Sequence, residues 1–82
     1  MLVNIKYFAS VREAIGMAGE ARQTSSASLA ALRDELIAAG PAYECLDRSR
    51  MVRMALNHVM SDESSQLTPG CEVAFFPPVT GG

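Results

Sequence analysis

The sequence ends in Phe75-Phe76-Pro77-Pro78-Val79-Thr80-Gly81-Gly82, the run whose residue types most invite chemistry. Two adjacent prolines cannot continue a helix or donate to an interior ladder, so Pro77 and Pro78 are expected to end a sheet and send the remaining residues out as a stiff, extended arm. Six residues reach at most about 20 Å. Val79 and Thr80 favour extended backbone, whereas Gly81 and Gly82 add no side chain and carry the terminal carboxylate. That shape suits a carboxylate that enters a narrow channel in another protein and is reached there from both sides of the peptide plane. The bland alternative is a Gly-Gly that frays at a terminus or remains from cloning. The prolines and the aromatic strand before them weigh against it.

No other residues assemble into a catalytic pattern. Cys45 and Cys71 are expected as two reduced, partly buried thiols, with a single disulfide as the alternative. His58 is expected on the surface or in a turn; as a general base it would need a nucleophile or an orienting carboxylate at a recognisable place, and none is identified. Two Cys and one His fall short of a structural zinc site or an iron–sulfur cluster, so no metal is expected.

The elements that must position the tail follow from periodicity. Leu2 to Phe8 alternates with β-branched and aromatic residues and reads as a strand, apolar on both sides and therefore central. Ser10 and Glu13 have capping-box spacing, Val11 and Ile15 share the buried side of a short helix, and Gly16 closes it. Glu20–Thr24 reads as a short polar strand pairing with the first through the Gly16–Gly19 turn. Ser28 caps a helix over Leu29–Ala39 with Leu29, Leu32, Leu36 and Ile37 on its apolar stripe, ended by Gly40-Pro41. Arg33, Asp34 and Glu35 lie off that stripe, as a solvated face or a docking patch. Residues 42–50 have no clear period, although Tyr43 and Leu46 could anchor one helical turn. Met51–Val59 alternates and reads as one strand, Ser61–Ser65 as a loop, Thr68-Pro69-Gly70 as a turn, and Glu72–Phe76 as the last strand.

This order predicts an α+β fold of the β-grasp kind: a mixed sheet packed on one amphipathic helix, with the first and last strands parallel at its centre. At 82 residues and 8.8 kDa, the chain suits a single core. We expect residues 1–76 to form that domain and 77–82 an extended, flexible C-terminal tail. Seven Lys and Arg against nine Asp and Glu, with no basic run, argue against a nucleic-acid partner. The absence of a long apolar segment or a leader pattern argues against a membrane and for a cytoplasmic location.

Four segments together, IKYFASVREAIG, LAALRDELIAAG, MALNHVMSD and LTPGCEVAFFPPVTGG, resemble the family of small sulfur-carrier subunits of molybdopterin synthase, which are ubiquitin-like β-grasp proteins. The resemblance spans almost the whole chain, and the double proline after two aromatics is its most specific part. Thiamine-biosynthesis carriers share the Gly-Gly but usually lack that step. Cys71, His58 and Thr80 depart from the usual pattern, which bears on the partner interface and leaves the tail chemistry intact.

The resemblance implies that Gly82 is the reacting group, adenylated and then converted to a thiocarboxylate. Gly81 would give clearance, and Pro77, Pro78, Val79 and Thr80 would aim the arm. It implies two partners: an E1-like adenylyltransferase, to which the ATP and Mg2+ belong, and the synthase large subunit, in a heterotetramer with two copies of each subunit. There the sulfur would pass to cyclic pyranopterin monophosphate. No cofactor is expected on this chain, and acid–base groups are expected on the large subunit, which leaves open whether this chain counts as an enzyme. Phe75 is the candidate partner-contact aromatic, with core packing as its alternative and Phe76 expected on the opposite side of the strand. A thiazole-synthesis carrier, a protein modifier and a non-catalytic interaction module are the rival readings.

Overall fold

The computed structural model describes residues 1–78. Strand β1 (Leu2–Tyr7) alternates as predicted, with Val3, Ile5 and Tyr7 buried. It ends one residue early, because Phe8, still extended, takes the N-cap position of α1 (Ala9–Ile15). The expected capping box is absent. The helix starts before Ser10, and the first-turn N–H groups of Val11 and Arg12 donate to the Phe8 carbonyl at 3.1 and 3.3 Å instead. Val11 and Ile15 are buried, and Gly16 closes the helix in the left-handed region at φ 89°, its N–H bonded to the Arg12 carbonyl.

Strand β2 (Gly19–Gln23) pairs antiparallel with β1, Lys6 opposite Gly19 and Leu2 opposite Gln23, one residue earlier at each end than predicted. A Cβ on Gly19 would sit 2.5 Å from the Ile5 carbonyl oxygen, so only glycine allows this approach. Helix α2 (Leu29–Ala39) has the predicted bounds, and the Ser28 hydroxyl accepts from the Ala31 N–H at 3.2 Å. Leu29, Leu32 and Leu36 are fully buried against the sheet residues Val3, Ile5, Val73 and Phe75 in one core. Gly40 ends α2, and Pro41–Leu46 forms a 3-10 helix that buries Leu46 and half-buries Tyr43, giving structure to the segment without a period.

Two of the three residues expected on a solvated face of α2 are not there. Arg33 is buried, because it lies four residues after Leu29 and three before Leu36 and so borders the apolar stripe. Its Nε donates to the Leu46 carbonyl at 2.5 Å and its Nη2 to the Asp47 carbonyl at 3.2 Å, tying α2 to the end of the 3-10 helix. Glu35 is half-buried and accepts from Arg22 Nε (2.5 Å), Thr24 Oγ1 (2.5 Å) and Ser26 Oγ (2.9 Å), clasping α2 to β2 and the loop after it. Asp34 is exposed and pairs with Arg48.

The single strand expected over Met51–Val59 is a hairpin. Strand β3 (Arg53–Leu56) turns at Asn57 and His58, both left-handed at φ 50° and 68°, into β4 (Val59–Ser61), with Leu56 opposite Val59 and Met54 opposite Ser61. Asn57 tolerates that backbone, and its Oδ1 accepts the Glu72 N–H at 2.9 Å, fixing the turn to the next strand. Periodicity missed the break because the alternation carries on across a two-residue turn. Strand β5 (Glu72–Phe76) follows the turn at Gly70 (φ 77°). The sheet order is β2-β1-β5-β3-β4, with β5 parallel to β1 and antiparallel to β3, the mixed β-grasp sheet that the element order predicts. No helix among the described residues is long and apolar enough to cross a membrane.

Candidate functional site

The root of the tail is the end of the central strand. β5 is held on both sides, by β1 with Tyr7 opposite Phe75 and by β3 with Arg53 opposite Phe76, and the Phe8 N–H extends the ladder to the Phe75 carbonyl at 3.1 Å. Prolines need neither ladder nor helix, so the pairing stops where Pro77 begins. Both prolines are half-buried, and Pro77 helps to line a surface groove of about 280 Å³ with Val11, Ala14, Cys45 and Met51. Val79, Thr80, Gly81 and Gly82 lie outside the described residues.

Phe75 is not a partner contact. It is fully buried, its ring stacked on that of Tyr7 with centroids 6.2 Å apart. The reason is parity. Phe75 shares its face with Val73, and that face packs on α2. Tyr7 is itself anchored: its hydroxyl and that of Tyr43 both donate to Glu20 Oε2, at 2.8 and 2.7 Å. Burial, then the bond to Glu20, pushes the Tyr7 phenol pKa up; for Tyr43 the bond to Glu20 is the larger cause. Both phenols therefore stay protonated and serve as donors that lock the strand feeding the tail.

Phe76 faces the other way, and there the structure assembles a surface that sequence reasoning missed. Cross-strand register places Lys6, Ala74, Ala55 and Met60 in one row on the outer face of the sheet, with Phe8, Phe76 and Arg53 in the next. Phe8 is 49% exposed and Met60 60%, while the small Ala55 and Ala74 leave the space between them low. The result is a shallow apolar surface that begins at the tail root and is flanked by Lys6 and Arg53. The signal was present in the sequence as Phe8, one residue out of phase with Val3, Ile5 and Tyr7. Met60 could not be placed until the hairpin was known.

The remaining candidates are His58 and the two cysteines. His58 lies in the β3–β4 turn with its side chain 81% exposed, its Nε2 3.3 Å from Glu72 Oε2. The carboxylate partner that sequence reasoning did not find is thus Glu72. Cys45 is half-buried and Cys71 buried, both unpaired; burial raises the Cys45 thiol pKa, which keeps it protonated and a poor nucleophile. What the described residues offer is a rigid platform. Its central strand delivers Pro77 and Pro78 to the surface beside an apolar face suited to covering by another protein.

Comparison with known proteins agrees with this geometry. Residues 5–82 match the ThiS family. The chain is 32% identical over 81 residues to the molybdopterin synthase sulfur carrier subunit of Haemophilus influenzae, covering 99% of this chain and all of that one. Among solved structures, SAMP1 from Haloferax volcanii superposes with a TM-score of 0.81 at 25% identity, with full coverage of both chains. The complex of subunits 1 and 2 of molybdopterin-converting factor from Helicobacter pylori contains a chain that shares the fold, with a TM-score of 0.71 at 22% identity and full coverage of both. With the ubiquitin-like β-grasp sheet and the sequence match through the glycine tail agreeing, the chain belongs to the ThiS family.

Proposed function

We propose that this chain is the sulfur-carrier subunit of a molybdopterin synthase. The observation that carries the reading is the end-to-end match to the H. influenzae sulfur carrier subunit, which includes the tail. The platform geometry supports it, because a tail rooted on a central strand and beside an apolar face can be presented to a partner without disturbing the core.

In this reading Gly82, through its carboxylate, is the reacting group. A carboxylate is a poor acyl donor, so an E1-like adenylyltransferase, using its own ATP and Mg2+, joins it to AMP with release of diphosphate. The terminal sulfur of a persulfide then attacks the acyl carbon and AMP leaves; a second thiol cleaves the S–S bond of the resulting acyl disulfide, itself ending in a disulfide, and Gly82 is released as a thiocarboxylate. That group is ionised and soft, hence a better nucleophile than the carboxylate it replaces. The tail, residues 77–82, next inserts into the large subunit, where the sulfur passes to cyclic pyranopterin monophosphate. In this scheme Gly81 provides clearance, Pro77, Pro78, Val79 and Thr80 aim the arm, and Phe8, Met60 and Phe76 rest on the partner. The Helicobacter complex of two subunits is the precedent for such an assembly, and two copies of each subunit form our expected stoichiometry.

Two other readings have a specific observation behind them. The ThiS family match favours a carrier that supplies sulfur for the thiazole of thiamine. The likeness to SAMP1, small archaeal modifier protein 1, favours transfer of the activated glycine to a lysine. One experiment separates all three. The purified chain is incubated with the adenylyltransferase, ATP, Mg2+ and a sulfur donor, its intact mass is recorded with fragmentation of the terminus, and the product is presented to the synthase large subunit with its pterin substrate. Exchange of one oxygen for sulfur on Gly82, followed by molybdopterin formation, is expected. An unchanged mass with an active adenylyltransferase refutes the carrier reading, an isopeptide adduct supports the modifier, and loading without pterin conversion supports the thiazole carrier. A chain extended by one residue beyond Gly82 is expected to fold normally and to load nothing.

A further inference from the structure

Beside the apolar face lies a feature that the sulfur-carrier reading does not use. A shallow groove of about 330 Å³ is lined by Arg33, Arg48, Arg50, Arg53, Val52 and Glu63. It gathers four of the seven Lys and Arg residues of a chain whose net charge is −2. Two of the four are internally engaged. Arg48 pairs with Asp34 and Glu63, and Arg33 is held by the Leu46 and Asp47 carbonyls with its Nη1 3.7 Å from Glu63 Oε1. Arg50 and Arg53 are exposed, and among the described residues neither forms an ion pair. The Asp47 carboxylate is turned to the Ser49 N–H at 2.9 Å. The groove therefore keeps a positive surplus, concentrated at Arg50 and Arg53.

Its position gives the charge a use. Arg53 stands opposite Phe76 in the sheet register, one residue from the first proline. Arg50 and Val52 also line the neighbouring groove that contains Pro77, so the basic groove is continuous with the root of the tail. We infer that Arg50 and Arg53 form an electrostatic docking site for an acidic surface on the synthase large subunit, beside the opening that takes the tail. The occupant rests on the function proposed above. An acidic partner repels the rest of this negatively charged chain and attracts this one face, so the encounter is oriented with the tail root toward the opening. Guanidinium groups suit the task, since each can hold a carboxylate through two parallel hydrogen bonds.

The test measures association of the complete chain with the isolated large subunit by stopped flow across a range of ionic strength. It compares wild type with Arg50→Glu/Arg53→Glu and the neutral Arg50→Gln/Arg53→Gln, thermal unfolding confirming that each folds. At low salt the Glu pair is expected to slow association about tenfold or more and the Gln pair less, with the salt dependence flattened and the difference fading at high salt. Wild-type rates in both variants, an equal defect at all salt concentrations, or a defect seen only with the adenylyltransferase would each overturn the inference while leaving the carrier function standing. If wild type itself fails to associate with the large subunit, the function falls and this inference with it.

Discussion

Replacing Glu35 by Gln isolates the clasp between α2 and β2. The carboxylate accepts three hydrogen bonds, from Arg22, Thr24 and Ser26, and the Arg22 and Glu35 side chains are 26% and 27% exposed. A hydrogen bond to a charged group contributes about 1.5–3 kcal/mol, and partial exposure pulls the ionic share toward the lower end. Gln keeps a neutral acceptor for the two hydroxyls, so the expected loss is about 1.5–2 kcal/mol. With an unfolding entropy of roughly 2.1 cal/mol/K per residue, that lowers the midpoint by about 9–12 °C.

The pH dependence of this loss distinguishes a charge effect from a packing effect. Burial would raise the Glu35 pKa, but the bonds from Arg22, Thr24 and Ser26 outweigh it and hold the carboxyl below its ordinary value. A group whose folded pKa is depressed contributes stability that is complete above its unfolded pKa and is lost as the pH falls through the folded one. The gap between wild type and variant should therefore be full at pH 7, begin to close below about pH 5, and narrow further as the pH falls through the depressed folded value. Urea unfolding followed by far-UV circular dichroism reads it directly. An equal gap at pH 7 and pH 2.5 would mean that shape rather than charge is responsible, and no gap at pH 7 would mean that the clasp contributes nothing.

Adjacent aromatics should behave oppositely. Phe75→Ala empties a fully buried site and is expected to cost about 3–5 kcal/mol in urea unfolding, whereas Phe76→Ala should change stability far less and weaken binding of the large subunit in a titration calorimeter. Met60→Glu, on the same outer surface, should likewise leave the melting temperature nearly unchanged and reduce that binding. Leu32→Ala should cost about 2–5 kcal/mol, since Leu32 is fully buried in the core; an unchanged melting temperature would contradict its place there.

Much of this architecture was legible beforehand because it rests on local rules. The bounds of α2 follow from the Ser28 cap, the leucine spacing and Gly40-Pro41, and those of β5 from the turn at Gly70 and the stop at Pro77. The failures share a cause: each required knowing what lies across the chain. The Ser10–Glu13 spacing is present, but Phe8 takes the cap position because it is still held in the ladder by the Phe75 carbonyl. Arg33 reads as a solvent-facing cation until the 3-10 helix brings two carbonyls to it, and the β3–β4 turn is hidden in a continuous alternation until Glu72 binds Asn57.

For the candidate site the division is just as clear. Composition and order alone determined a β-grasp domain whose last strand meets two prolines and a glycine end, because strand periodicity and proline's missing N–H act over a few neighbouring residues. Only the tertiary structure decided which phenylalanine is core and which is surface, and that Phe8, Phe76 and Met60 lie on one face with Arg53 beside them. Side-chain parity within a strand is absolute, but which parity faces the core depends on where α2 packs, and cross-strand register joins residues that are more than fifty positions apart in the chain.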